Sequence, residues 1–180
     1  MKKTKIVVAA SGASGVNLGI KMLHLLPESV EKHFIVSKNS KIVLANEMHD
    51  VTTHDNKNIS ASIASGSFGI DAMIIAPCSM NTLAKIACGI ADNLITRCAS
   101  VMIKEQKKLI LAPREMPFSA IALENMHKLA SLGIIIAPPV MAYYSQQQTL
   151  EDMENFVIGK WFDLLGIENN LYRRWQIEES

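Results

Sequence analysis

Five short polar stretches in this chain each follow an apolar run, and between them they hold the residue types needed for chemistry on an anionic ligand. The first, Ser11-Gly12-Ala13-Ser14-Gly15, offers backbone N–H groups, two hydroxyls and the start of a helical pattern, a combination suited to phosphate. It lacks the full G-x-G-x-x-G order, and on this segment alone a βα turn that binds nothing stands level with a phosphate seat. Ser37-Lys38 is the second stretch, Pro77-Cys78-Ser79-Met80-Asn81-Thr82 the third, Pro113-Arg114-Glu115-Met116-Pro117 the fourth, and Pro138-Pro139-Val140-Met141-Ala142-Tyr143-Tyr144 the fifth. An adjacent Arg-Glu on an arbitrary loop is by default a surface pair. Arg114 and Glu115 sit between two prolines at the end of an apolar run, which favours work on a ligand instead. Cys78 stands where a nucleophile could, but no histidine lies near it in sequence, and it reads as a small buried thiol lining the turn. His49-Asp50 and His54-Asp55 lack a zinc spacing and read as solvated or interfacial, so no metal site is expected.

These stretches need elements to hold them. Apolar runs at Lys5–Ala10, His33–Val36, Ala72–Ala76, Leu109–Ala112 and Gly133–Ala137 read as strands buried on both faces. Helical patterns lie between and after them at Ser14–Leu26, Lys38–Glu47, Ser79–Ala87, Asn93–Glu105, Phe118–Leu132 and Thr149–Leu165. Regular β-α alternation predicts an α/β fold, a doubly wound parallel sheet covered by helices on both faces. Ligands in such folds bind beyond the carboxyl ends of the strands, which is where the five polar stretches fall. A dinucleotide site would carry an acidic residue after the second strand. Ser37-Lys38 stands there instead, which disfavours NAD and makes a mononucleotide such as FMN the leading ligand. Asp50–Ser67 is the least regular segment and reads as a long functional loop or an oligomer contact.

With 180 residues the chain is expected to form one domain spanning 1–180, large enough to bury roughly 70% of its unfolded surface. A net charge of +1 recruits neither nucleic acid nor an acidic surface. An apolar fraction of 49% without any run of about 20 apolar residues points to a buried subunit interface rather than a membrane span. The N-terminal MKKTKIVVAA mimics a signal peptide, but its apolar stretch is short and makes better sense as the first strand. Cys78, Cys88 and Cys98 read as reduced thiols of a cytoplasmic protein.

Several motifs occur in one order: SGASG, VSK, ASGS, PCS-x-x-TL, G-x-x-DNL-x-x-R, K-E, PRE-x-P-F, ENM-x-x-L, PP ahead of an aromatic pair, and RW near the end. In this the chain resembles the UbiX-type flavin prenyltransferases, and the run from Pro77 to Pro117 is the most specific part. The resemblance implies a flavodoxin-like or Rossmann-like three-layer sandwich, a dodecameric homo-oligomer, and metal-free synthesis of prenylated FMN from reduced FMN and dimethylallyl phosphate for a UbiD-type decarboxylase. It implies that Gly12, Ala13, Ser14 and Ser37 hold the flavin phosphate region, with Ser79, Met80, Asn81, Thr82, Arg97 and Arg114 also on the cofactor. Glu115 is implied as acid/base, supported by Ser14, Glu47 and Lys104, while Tyr144, Lys160, Lys104 and Trp175 bind the prenyl phosphate. Lys160 departs from the family's usual Arg, keeping charge but losing the bidentate fork. Each residue also has a plainer reading: Ser14 as an N-cap, Lys104 as a helix-end cation, Glu47 as solvated, Tyr144 as core or interface, Trp175 as a tail anchor. The rivals are an FMN-dependent cysteine decarboxylase, of whose pattern only Met80-Asn81 is present, a non-catalytic FMN-binding subunit, and a nicotinamide reductase.

Overall fold

The structure, a computed structural model, describes residues 3–12, 15–36 and 50–175. It contains two compact units, Met1–Pro138 and Pro139–Ser180. In the first, six parallel strands form one sheet: β1 (Thr4–Ala9), β2 (Val30–Val36), β3 (Val51–Asp55), β4 (Ala72–Cys78), β5 (Lys108–Pro113) and β6 (Ile135–Ile136). Their order is β3-β2-β1-β4-β5-β6, so the direction of chain progression reverses between β1 and β4. That is the doubly wound order of nucleotide-binding sheets, and its switch point lies beyond the ends of β1 and β4.

Strand pleat decides which residues feed which layer. Val7, Ala9, Met73, Ile75, Leu109 and Leu111 point to one face. There they pack with α2 (Met80–Ala87), α3 (Leu94–Lys104) and α4 (Ala120–Ser131). Their neighbours Ile6, Val8 and Ile74, also buried, alternate onto the opposite face, against which α1 (Val16–Leu25) lies. A β-carbon on Gly19 would come within 2.5 Å of the Ala76 carbonyl oxygen, so glycine alone lets α1 approach β4 this closely. The expected three-layer sandwich is therefore present.

The structure adds a strand that sequence periodicity does not show. Val51–Asp55, inside the segment expected to be irregular, pairs in parallel with β2 from Lys32↔Val51 to Val36↔Asp55. It is an edge strand, where polar residues such as Thr52, Thr53 and His54 are tolerated because one side faces solvent. β2 also begins at Val30, three residues before the expected start, and β6 keeps only Ile135–Ile136 of the expected Gly133–Ala137. The helix expected over Lys38–Glu47 lies outside the described residues. The second unit holds α5 (Leu150–Leu165), opened by a reciprocal Thr149–Asp152 capping box and closed by Gly166 in the left-handed conformation.

Candidate active site

The ends of β1, β4 and β5 meet at the switch point. The Ser11 amide donates to the Pro77 carbonyl at 3.0 Å, and the Ser79 amide donates to Ser11 Oγ at 2.9 Å. These two bonds tie the first polar loop to the turn after β4. Gly12 and Gly15 adopt φ of +106° and +88°, which side-chain-bearing residues rarely take. β-Carbons on them would stand 3.6 Å from Ser79 Cβ and 3.6 Å from Arg114 Cδ, so three strand ends share one small cradle. Ser79 caps α2: its Oγ accepts from the Thr82 amide at 3.2 Å and its hydroxyl pairs with Thr82 Oγ1 at 3.0 Å. Met80 and Asn81 form the first turn, so the partial positive charge of the α2 N-terminus faces the rim. Arg114 is exposed there, and among the described residues it makes no ion pair. Two helix starts and a guanidinium with no carboxylate partner among the described residues meet here, a donor set suited to an anion.

The other expected residues lie apart from this cradle. Glu115 is exposed, and its Oε1 accepts from the Met116 amide at 3.1 Å. Arg97 is exposed in the first turn of α3, whose start is held by Asn56, the residue after β3. The Asn56 carbonyl and Oδ1 each accept, from the Leu94 and Ile95 amides, at 2.9 Å. α3 then runs back along the sheet, so Lys104, its last residue, ends near the strand starts, paired with Glu105. Lys104 also borders a cavity of about 400 Å³ with Lys128, Ile86, Ile103 and Leu132. Ala13, Ser14, Ser37 and Glu47 lie outside the described residues.

The second unit gathers the remaining three. Tyr144, in the short turn Tyr143–Ser145, meets Trp175 edge-on at 5.5 Å and Phe156 at 5.9 Å. Phe156 in turn meets Tyr172 at 5.0 Å, and Lys160 Nζ lies 6.0 Å from the Tyr172 ring. Tyr144, Lys160 and Trp175 thus belong to one aromatic cluster on one face of α5.

Burial sets the charge states of the thiols. It pushes Cys78 up to about 12, which keeps a neutral, unreactive thiol at the turn, and does the same to Cys98. Asp163 goes the other way, held down to about 2 chiefly by its bond from Arg174. His54 is not simply solvated: its Nε2 lies 3.2 Å from Nδ1 of buried His33. Among the described residues no cluster of His, Cys, Asp and Glu could hold a metal, and no helix is long and apolar enough to cross a membrane.

Sequence reasoning missed Ser11 as the tie between loops, Asn56 as a distant acceptor at the start of α3 beside the local Asn93–Thr96 capping box, and the α5 residues Phe156 and Asp163. Of the last two, only Phe156 was detectable, since it stands four residues before Lys160 on one helix face. Asn56 was not, because its role depends on β3.

The family model described as Flavoprotein matches residues 1–161. The chain is 51% identical to the flavin prenyltransferase UbiX of Helicobacter pylori strain J99, over 95% of this chain and 98% of that one. The crystal structure of AnUbiX (PadA1) in complex with FMN and dimethylallyl pyrophosphate superposes with a TM-score of 0.88 at 37% identity, covering 99% of this chain and 100% of that one. A dodecameric FMN-dependent UbiX-like decarboxylase from Escherichia coli O157:H7 gives 0.86 at 39% identity, covering 96% and 100%. With its cradle at the switch point and these likenesses along nearly its whole length, the chain belongs to the flavoprotein family and, within it, to the UbiX-type flavin prenyltransferases.

Proposed function

We propose that this chain joins the dimethylallyl group of dimethylallyl phosphate to N5 and C6 of reduced FMN, and that residues 1–180 act as one FMN-binding domain for that purpose. The observation that carries the reading is the convergence of Gly12, Gly15, Ser79, Thr82 and Arg114 on one cradle at the ends of β1, β4 and β5. These residues, with Met80, Asn81, Arg97 and the loop residues Ala13, Ser14 and Ser37, would hold FMN. When bound, the reduced flavin supplies the two ring positions that accept the prenyl carbons.

The protein's own part is positioning, charge and proton handling. Tyr144, Lys160 and Lys104 neutralise and hydrogen bond the departing phosphate. Phe156, Tyr172 and Trp175 provide the apolar wall that keeps an allylic fragment from water. Glu115, exposed beside Arg114, holds or moves a proton, supported by Ser14 and Glu47. Lys104 ends its helix at the strand starts, the opposite end of the sheet from the cradle. We therefore assign it to the cradle of a neighbouring copy in a homo-oligomer, of the dodecameric kind formed by the E. coli relative. The absence of an Asp-rich magnesium motif favours a monophosphate donor, and the product would serve a UbiD-type decarboxylase. Reduced thiols agree with residence in the cytoplasm.

Anaerobic incubation with reduced FMN and either dimethylallyl phosphate or the pyrophosphate, followed by mass spectrometry of the released flavin, tests this. A flavin heavier by one prenyl unit is expected with the monophosphate. Unmodified FMN beside a working control enzyme would overturn the proposal. Glu115→Gln separates catalysis from storage: kcat should fall by about 10²-fold or more with FMN affinity unchanged, whereas a flavin-storing subunit loses nothing measurable.

A further inference from the structure

The chain segment after α5 does more than end the protein. Asn169 Nδ2 donates to Asp163 Oδ1 at 3.0 Å and to the Gly159 carbonyl at 3.3 Å, folding the segment back along α5. The Tyr172 hydroxyl donates to Asp163 Oδ2 at 2.5 Å, and Arg174 grips both oxygens of the same carboxylate at 3.0 and 2.8 Å. The neighbouring Arg173 reaches the other way, donating to Gln146 Oε1 at 3.0 Å, two residues from Tyr144. Trp175 then lies edge-on against Tyr144 itself. One carboxylate thus receives four donor groups, and two consecutive arginines span α5 and the Tyr143–Ser145 turn.

Space on α5 is shaped for this arrangement. A β-carbon on Gly159 would fall 2.5 Å from Tyr172 Cδ1, so the Tyr172 ring occupies room that only glycine leaves. Phe156, three residues before Gly159, meets that ring edge-on at 5.0 Å, and Lys160 lies next to it. Tyr144 is 42% exposed in a three-residue turn, and Lys160 is exposed on its helix. Phe156 of α5 touches Tyr144 directly, and the segment from Asn169 to Trp175 adds hydrogen bonds and ring contacts to both the turn and the helix. A bidentate, charge-assisted pair is the strongest side-chain tie available for the purpose.

We propose that residues 169–175 form a clasp anchored on Asp163 that sets the spacing of Tyr144 and Lys160, and that Asp163, Gly159, Tyr172 and Arg174 are positioning residues for the prenyl phosphate. This rests on the reading that Tyr144 and Lys160 hold that phosphate. The depressed titration of Asp163 agrees with it, since the anchor stays ionised in any near-neutral solution.

The test uses the full-length, FMN-loaded protein and two readouts. Trypsin cleavage after Arg173 and Arg174 reports release of the clasp, and steady-state kinetics with dimethylallyl phosphate report its consequence. Asp163→Ala should speed cleavage and raise KM for dimethylallyl phosphate, each by about tenfold, with kcat and FMN affinity changed by less than about twofold. Asp163→Asn keeps one acceptor oxygen and should fall between, which also serves if the alanine variant does not fold. Gly159→Ala displaces Tyr172 while leaving the carboxylate intact and should move both readouts in the same direction. Unchanged cleavage in Asp163→Ala overturns the anchor, and faster cleavage at an unchanged KM overturns the positioning role. A parent protein that transfers no prenyl group, while Asp163→Ala still frees the segment, defeats the substrate reading and supports the clasp.

Discussion

Arg114 concentrates the chemistry of the cradle in one side chain. Its stem lies beside Gly15 and its guanidinium has no carboxylate partner among the described residues, although Glu115 is its neighbour in sequence. An unpaired cation between two helix starts is poised for an anion that arrives from solution. Arg114→Ala should weaken FMN binding by about 2 kcal/mol, roughly thirtyfold, with the melting temperature unchanged because the side chain is exposed. Flavin fluorescence titration measures the affinity, and a loss below about twofold would remove Arg114 from the cofactor site. The sequence marks Arg114 through its place between two prolines after an apolar run. Nothing in the sequence marks Asp163, which reads as one more polar residue on an amphipathic helix until the tail folds back upon it.

α1 and β4 pack closely beneath the cradle, at Gly19. Gly19→Ala should gain about 1 kcal/mol of helix propensity yet lose more, because the added carbon meets a backbone carbonyl in the middle of the sheet that cannot turn aside. A net loss of about 1–3 kcal/mol is expected, measurable as a lower melting temperature, and a rise would show that α1 can shift outward. Edge strand β3 has its own sensitivity, to pH. Burial lowers the pKa of His33 from its ordinary 6.5, against the opposing pull of Glu31. His54 of β3, Glu31 of β2, Lys5 of β1 and Phe68 surround its ring. Two neutral imidazoles share one hydrogen bond, and two protonated ones cannot. Because the folded-state value lies below the unfolded one, the stabilisation is complete above the unfolded pKa and is lost as pH falls through the folded one. Amide protection in β3, corrected for the intrinsic exchange rate, should therefore fall as pH drops below 6.5. In His33→Gln that dependence should flatten, and a slope identical to the parent's would assign the effect elsewhere.

At the scale of the whole molecule, the direction of α3 matters most. Its start at Leu94 lies against Asn56, beyond the end of β3, and it runs antiparallel to the strands, so Arg97 and Lys104 occupy opposite ends of one helix. Lys104 therefore stands at the strand starts while Arg114 stands at the strand ends. If copies of the chain exchange these groups, Lys104→Ala and Arg114→Ala should each lose most activity alone at limiting FMN and recover it when co-expressed in one oligomer. Recovery should be visible as prenylated flavin in the mixed assembly but not in separately purified, unmixed proteins. No recovery would confine each site to a single copy and leave Lys104 as the helix-end cation its position first implies.

The alternation of buried strands with amphipathic helices, the parallel sheet, and the positions of the polar stretches at strand ends all follow from local sequence. Side-chain burial and strand period are written residue by residue, and a Gly/Ser loop or a proline-bounded Arg-Glu pair carries its signature in consecutive positions. The family, too, could be read from ordered motifs. Three things were decided only by the tertiary structure: the edge strand β3, the Asn56 bonds to the start of α3, and the Asp163 clasp. Each depends on a partner distant in the chain. An edge strand exists because β2 offers it a ladder, the Asn56 bonds because a distant helix start comes within reach, and a carboxylate anchor because an arginine, a tyrosine and an asparagine return to it. Such groups have no local period and no fixed spacing, so their roles appear only once the chain is folded.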